Sequence, residues 1–337
     1  MSPNANPSPP YVRITGWGKY LPERTMPNSE LEALVDTTDE WIRARTGIGA
    51  RRIAAPDETT CSLSVIAAQL ALEKAQVGPD DVELIIVATC TPDYANMPAT
   101  ASLVQHALGA RHAGAFDLNA VCSGFLYGLA TGSQFVLSGA HRNVLVIGAD
   151  VFTRILDWED RSTCVLFGDG AGAVVLQATA EPGGLLSFVL GSDGAGACSL
   201  YVPAGGSRLP ASAATVAERQ HFVKMQGREV FRFAASVVPE SVLEALGRAG
   251  LTTDDIDLLI PHQANSRIID AAMRRLKLAD SAVFSNVERY GNTSAASIPV
   301  ALCEALEEGR VVAGDTIAMS GFGAGLSWGT AIWKWHG

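Results

Sequence analysis

The stretch Asp80-Asp81-Val82-Glu83-Leu84-Ile85-Ile86 returns later in the chain as Asp254-Asp255-Ile256-Asp257-Leu258-Leu259-Ile260. In both copies an acidic turn feeds an unbroken apolar run, and both copies follow an amphipathic helical stretch. The first such stretch covers residues 62–75, with Leu63, Ile66, Ala67 and Leu70 at helical spacing. An apolar run of strand length predicts a strand covered on both faces. A second pair follows in the same order. Gly168-Asp169-Gly170-Ala171-Gly172 precedes one apolar strand, and Gly321-Phe322-Gly323-Ala324-Gly325 precedes another. One match is within reach of chance, but two in the same order argue for an internal duplication of two α/β halves. The break falls near residues 178–184 (ATAEPGG), giving halves 11–178 and 179–337.

Outward from these anchors, strand-like runs recur at residues 11–21, 115–120, 143–148 and 164–177, with helical stretches between them. Two short helices are expected at 29–34, with Ser29 as N-cap, and at 39–45. Strand–helix alternation of this kind predicts a mainly parallel sheet with helices on its faces. Residues 1–10, MSPNANPSPP, read as a disordered leader. Residues 194–226 form a long insertion of low helicity with Pro203, Gly205, Gly206 and Pro210, the length of a lid or partner-contact loop.

Composition narrows the class. The 337 residues allow two domains, and 48% are apolar while only 18% are charged. Typical domains carry about 25% charged residues, so a large core is expected and disorder, collagen and coiled coil are excluded. The apolar stretches at 83–90 and 143–152 fall far short of the roughly 18 residues of a spanning helix. No basic patch leads into an apolar run at the N-terminus, so a cytoplasmic protein is expected, with no membrane partner. A net charge of −10 disfavours nucleic acid. The six cysteines include no C-x-x-C pair, and the six histidines no H-E-x-x-H. The pattern fits neither a disulfide scaffold nor a metal site, and most of the cysteines are expected to be small buried hydrophobes. The glycine runs enter strands rather than helices, so they are not dinucleotide fingerprints.

Three residues could build a site. Cys122 lies between the strand at 115–120 and the helical Ser123-Gly124-Phe125-Leu126-Tyr127-Gly128-Leu129, where a helix N-terminus would lower a thiol pKa and favour a nucleophile. The plain alternative is a core cysteine. His262 closes the strand at Leu258-Leu259-Ile260-Pro261, at the end of a sheet where ligands bind; alone, it reads as a structural histidine. Asn292 precedes the helix at 298–307 and could simply cap it. Taken together the three say more. Brought to one cleft by a pseudo-twofold pairing of the halves, a thiol and two neutral donors suit acyl transfer and the stabilisation of an enolate.

At these residues the chain resembles the β-ketoacyl-[acyl-carrier-protein] synthase III family, initiating condensing enzymes of type II fatty-acid synthesis with a thiolase-like fold. The resemblance runs from about Tyr11 to Trp335. It rests on Asp39-Glu40-Trp41-Ile42 through Arg45-Thr46-Gly47-Ile48, the cysteine elbow at 120–125, and Phe167-Gly168-Asp169-Gly170-Ala171-Gly172-Ala173. It also rests on His262-Gln263-Ala264-Asn265, Gly291-Asn292-Thr293-Ser294 and the run at 321–329. It implies two duplicated halves in a five-layer αβαβα arrangement. It also implies a cofactor-free ping-pong condensation of acyl-CoA with malonyl-acyl-carrier protein, releasing CoA and CO₂.

Carried over residue by residue, the resemblance makes Cys122 the nucleophile and His262 and Asn292 the donors to the enolate. It assigns backbone support of the oxyanion to Ala324, where many members have Gly, and desolvation of the malonyl carboxylate to Phe322. CoA contacts fall on Trp41, Arg45 and Arg161. Carrier-protein contacts fall on Gln263, Ala264, Asn265, Ser266 and Arg267, with Arg274, Arg275 and Lys277 completing a positive patch. A homodimer is implied, with Met97 reaching into the partner's acyl pocket. The loop at 91–98 departs from the family by one extra residue, with Met97 where Phe is common, which leaves the starter acyl group open.

Two rivals stay open at this stage. One is a related condensing or acyl-transferring enzyme of secondary metabolism with the same Cys-His-Asn set. The other is a non-catalytic acyl-CoA or carrier-protein binding module. A degradative thiolase would place a second cysteine in the run at 321–325, which has none, and the elongating synthases use two histidines where this chain has His262 and Asn292.

Overall fold

The computed structural model describes residues 11–337; the leader expected over 1–10 lies outside the described residues. The first half contains strands β1 (Tyr11–Tyr20), β2 (Arg24–Pro27), β3 (Ala50–Ile53), β4 (Leu84–Ala88), β5 (Gly114–Leu118), β6 (Asn143–Asp150) and β7 (Gly170–Thr179). Its helices are α1 (Asn28–Leu31), α2 (Asp39–Thr46), α3 (Thr60–Ala75), α4 (Thr100–Leu108), α5 (Gly124–Leu137) and α6 (Arg161–Cys164). The second half adds β8 (Gly184–Ser192), β9 (Leu200–Tyr201), β10 (Lys224–Met225), β11 (Leu258–Pro261), β12 (Thr316–Gly323) and β13 (Ser327–Lys334). Its helices are α7 (Ala213–Ala217), α8 (Gly227–Ala249), α9 (Ser266–Leu276), α10 (Val287–Tyr290) and α11 (Ser297–Glu307).

The two main sheets run β1-β7-β6-β4-β5 and β8-β13-β12-β11. The orders superpose as a repeat. β4 lies parallel to β6 as β11 does to β12; β7 is antiparallel to β6 as β13 is to β12; and at the corresponding edge β1 is antiparallel to β7 as β8 is to β13. Both copies of the acidic segment begin as a 3-10 turn, Pro79–Asp81 and Thr253–Asp255, ahead of the buried strand. Each sheet is therefore mixed, which corrects the expectation of a mainly parallel one. Residues 324–326 are too few to cross over a sheet, so β12 and β13 must form an antiparallel hairpin.

Layering follows from composition. The α5 sequence GFLYGLATGSQFVL carries no charge and packs on both sheets, as does α11, with Ser297 through Ala305 buried. A helix apolar all round belongs in the interior. Helices α3 and α4 cover the outer face of the first sheet, and α8 and α9 that of the second, completing five layers.

Several local expectations are corrected. The first short helix starts at Asn28 behind Pro27, with no side-chain cap from Ser29, because the Asn28 amide is turned inward to Asp39 and the Ile48 carbonyl. Helix α3 begins at Thr60, where Thr59 and Ser62 form a capping box. Its buried stripe includes Leu63 and Ala67, while Ile66 and Leu70 face outward, 37% and 45% exposed. The run at 164–177 divides into the end of α6 and a strand that starts only at Gly170. Among the cysteines, Cys122, Cys164 and Cys303 are buried, Cys61 and Cys90 partly so, and Cys198 is exposed; none is disulfide-bonded. Among the described residues no helix is long and apolar enough to cross a membrane.

Candidate active site

Strand β5 delivers the chain to Cys122, which sits in the 3-10 turn Val121–Ser123 just before α5. Val121 adopts φ 49°, a left-handed conformation that a β-branched residue rarely enters. The elbow is pinned from both halves: Ser123 Oγ lies 2.8 Å from the Ala120 carbonyl and 2.8 Å from Ser327 Oγ. The end of β12 presses on the same backbone, since a Cβ on Gly323 would fall 2.8 Å from Cys122 N.

The thiol is buried, and its Sγ–H points to Ser294 Oγ at 3.6 Å. Burial pushes its pKa up to about 12, opposite to the depression expected from the helix N-terminus. Removing a sulfur anion from water costs more than one helix end and one hydroxyl return. The resting group is a thiol.

His262 is the first residue beyond β11, and its ring is buried. Burial alone brings its pKa down to about 3, so the imidazole is neutral. Nδ1 lies 2.6 Å from Ser297 Oγ at the start of α11. Among the described residues that hydroxyl has no other partner, and Ser297 is 1% exposed. Were Nδ1 to carry the ring hydrogen, the hydroxyl hydrogen would be stranded. The arrangement that satisfies both has Ser297 donating to Nδ1 and leaves Nε2–H as a free donor.

Asn292 does not cap α11, which begins five residues later. Its Oδ1 accepts from Ser294 N at 2.8 Å, so the carboxamide spends its oxygen on the backbone and keeps its N–H₂ for the pocket. Ser294, at φ 51°, makes this turn possible.

Cys122, His262 and Asn292 line a single cavity of about 510 Å³ together with Phe322, Trp41, Arg45 and Arg161. The Phe322 ring meets His262 edge-on at 5.4 Å. Trp41, exposed on α2, has the Arg161 and Arg45 guanidiniums 4.9 and 6.0 Å from its ring centre, so it is not a core residue. Ala324 sits half-buried in the β12–β13 turn, where its carbonyl accepts from Ser327 Oγ and its φ is not positive. Among the described residues no three metal-ligating side chains cluster.

The segment at 263–267 is mostly turned inward. Gln263 is buried and bonded to the Pro261 carbonyl and to Asn286 N, because the turn after β11 would otherwise strand these groups. Ala264 is buried and Asn265 caps α9; only Arg267 is exposed, joined farther along that helix by Arg274, Arg275 and Lys277. Met97 is 80% exposed and absent from the cavity wall. The insertion at 194–226 contributes Leu200 and Met225 to it.

Sequence reasoning passed over Ser297, Ser294 and Asp150. The readable signal for the last was an acid closing the apolar strand Asn143–Asp150.

Comparison with known proteins bears on this pocket. Residues 116–194 match the family model described as 3-Oxoacyl-[acyl-carrier-protein (ACP)] synthase III, and residues 246–335 match its C-terminal counterpart. A β-ketoacyl-[acyl-carrier-protein] synthase III of Symbiobacterium thermophilum is 56% identical over 324 residues, spanning 96% of this chain and 98% of the relative. The chain belongs to the β-ketoacyl-[acyl-carrier-protein] synthase III family. It is an acyl-transferring condensing enzyme. The Thermus thermophilus synthase III structure superposes with a TM-score of 0.90 at 48% identity, covering 96% of this chain and 99% of that one. The priming β-ketosynthase of the R1128 polyketide pathway gives 0.90 at 39% identity, covering 99% of each chain.

Proposed function

We propose that the enzyme condenses an acyl-CoA starter with malonyl-acyl-carrier protein through an acyl-Cys122 intermediate, needing no cofactor, in the cytoplasm. The observation that carries this reading is the single cavity shared by a thiol from the first half and an imidazole and a carboxamide from the second. Cys122 Sγ attacks the thioester carbonyl, and the oxyanion is held by the N–H groups of Cys122 and Ala324. The thiol proton leaves with CoA. When malonyl thioester enters, Phe322 offers no partner to its carboxylate, and CO₂ departs. The electron pair moves to the thioester oxygen, which accepts from His262 Nε2–H and Asn292 Nδ2. The enolate carbon then attacks acyl-Cys122, the acyl C–S bond breaks to release 3-oxoacyl-acyl-carrier protein, and the Cys122 sulfur takes a proton from solvent to return to the thiol.

At the cavity mouth, Trp41 offers a ring face and Arg45 and Arg161 a pair of charges, suited to the adenine and phosphates of CoA. Arg161→Ala is expected to raise the acyl-CoA KM about tenfold with kcat unchanged. An unchanged KM removes Arg161 from the CoA site. Arg267, with Arg274, Arg275 and Lys277, offers a positive surface to an acidic carrier protein.

A second cavity of about 560 Å³, lined by Cys90, Thr91 and Ile155, lies just beyond Ser294, whose hydroxyl is 3.8 Å from Cys90 Sγ. It offers room for the starter's chain. In the homodimer we assign to this enzyme, β5 is an open sheet edge and the exposed Met97 closes the partner's chamber. Met97→Phe is expected to cut turnover of long acyl-CoAs about tenfold and leave acetyl-CoA within about threefold. Equal effects on both exclude Met97 from chain selection. The likeness to a polyketide priming synthase keeps a secondary-metabolic role as the second reading. Intact-mass analysis after exposure to a panel of acyl-CoAs tests the whole proposal. A mass gain at Cys122 supports it, its absence with every thioester refutes it, and the preferred starter separates the two pathways.

A further inference from the structure

Asp150 closes β6 with no exposure to solvent, and the chemistry above makes no use of it. Every partner it has is a donor. Its Oδ1 accepts from Thr89 Oγ1 at 2.9 Å, Cys90 N at 2.9 Å, Thr91 N at 3.0 Å and Thr91 Oγ1 at 2.8 Å. Its Oδ2 accepts from Ala295 N at 3.2 Å. Four of these bonds stay within the first half; the fifth crosses to the loop that carries Asn292.

That loop rests on the same strand end. A Cβ on Gly148 would fall 2.3 Å from the Ala295 carbonyl oxygen, so the backbones of the two halves are in direct contact there. One residue before Ala295, Ser294 faces the Cys122 sulfur with its hydroxyl and holds the Asn292 carboxamide with its N–H. The backbone of Asn292 is itself bridged to the first half, its N–H donating to the Leu166 carbonyl at 2.8 Å and its carbonyl accepting from Gly168 N at 3.0 Å. The Asp150 bond fastens the other end of the loop, next to the Ser294 N–H that holds the Asn292 side chain. Burial gives that bond a low-dielectric setting in which a charge-assisted hydrogen bond is strong and directional.

We propose that Asp150 is a positioning residue of the site: with the Asn292 backbone already bridged to the first half, its Oδ2 fixes the Ser294–Ala295 end of the loop and so the N–H that aims the Asn292 carboxamide. This rests on the condensing mechanism proposed above. The carboxamide must meet the thioester oxygen within hydrogen-bond reach, and a misplacement of about 1 Å in such a donor costs up to roughly a hundredfold in rate. Acyl loading of Cys122 does not use the carboxamide. Loosening this end therefore misplaces the carboxamide and slows decarboxylation, whereas loading has only the long 3.6 Å contact between Ser294 Oγ and the Cys122 thiol at stake and changes far less.

The test compares the two half-reactions in the full-length enzyme. Loading is read as mass gain from acyl-CoA, and decarboxylation as CO₂ released from malonyl-acyl-carrier protein. Asp150→Asn keeps the shape but puts an N–H₂ against donors. It is expected to slow decarboxylation roughly 10–100-fold while loading stays within about threefold. Because this variant also disturbs the Oδ1 bonds, an amide-to-ester exchange at residue 295 removes the crossing N–H while leaving those bonds in place, and is expected to give the same split. Thr89→Val, which deletes a bond to the same carboxylate within the first half, is expected to lower Tm without changing the ratio of the two rates. Parallel losses in both half-reactions, or a split produced equally by Thr89→Val, would return Asp150 to a scaffolding role. Failure of the wild-type enzyme to load any acyl group would instead sink the mechanism itself.

Discussion

Cys122→Ala abolishes the acyl-enzyme, and condensation falls by more than about a thousandfold, the loss seen when a nucleophile acting as part of a unit is removed. The substitution deletes one buried sulfur. Helix α5 begins after it, and the elbow is pinned by Ser123 and Ser327 rather than by the thiol, so the fold is retained at a cost of about 1 kcal/mol. The variant is therefore a clean test. Mass analysis reads the intermediate, and circular dichroism reads the fold. Acyl loading that persisted in the variant would assign the nucleophile elsewhere. Cys90, beside the same Ser294 hydroxyl, would be the first place to look.

The protonation of Cys122 sharpens this expectation. With its pKa raised to about 12 by burial, the thiol is not a standing thiolate at neutral pH. Alkylation of the resting enzyme by iodoacetamide is accordingly slow and rises with pH. Catalysis has to remove the proton as the thioester arrives. A high thiol pKa and a neutral imidazole are the same physical fact seen twice, since the dry pocket disfavours charge on either group.

Much of the fold can be read from the chain because duplication leaves a periodic trace. The acidic-turn and apolar-strand copies at Asp80 and Asp254 head equivalent strands in sheets of matching order. Strand direction was less legible, because an apolar run buries as well in either direction. The connection carries that information, and the short Ala324–Gly325–Leu326 link is where it could have been found. Cys122, His262 and Asn292 stand out by residue type and by their places at element ends. Ser297, Ser294 and Asp150 do not, because their importance lies in which atom each hydrogen bond occupies. Gln263 shows the converse: it lies in a recognisable motif, yet its amide serves the turn behind His262.

Removing either second-half donor blocks the later half-reaction and spares the earlier one. His262→Ala and Asn292→Ala are each expected to lower decarboxylation about 10²–10³-fold, the measured worth of one preorganised donor to an oxyanion. Cys122 still gains acyl mass in both variants. The pH dependence separates the donor role from an acid–base one. An ordinary histidine would gain a proton near pH 6.5, whereas burial lowers His262 to about 3. Its folded-state pKa is depressed, so the native protein holds it neutral while the unfolded chain protonates it. Stability is therefore full above about pH 6.5 and drains as pH falls toward 3, by about 1.4 kcal/mol per unit. Over pH 5–8 the ring stays neutral, and Ser297 keeps its hydrogen on Nε2. Decarboxylation is thus expected to show no acid limb near pH 6.5 in the wild-type enzyme. An acid limb there that vanishes in His262→Asn would mean that the imidazole works by exchanging a proton. The neutral-donor assignment, and with it the orientation ascribed to Ser297, would then be wrong.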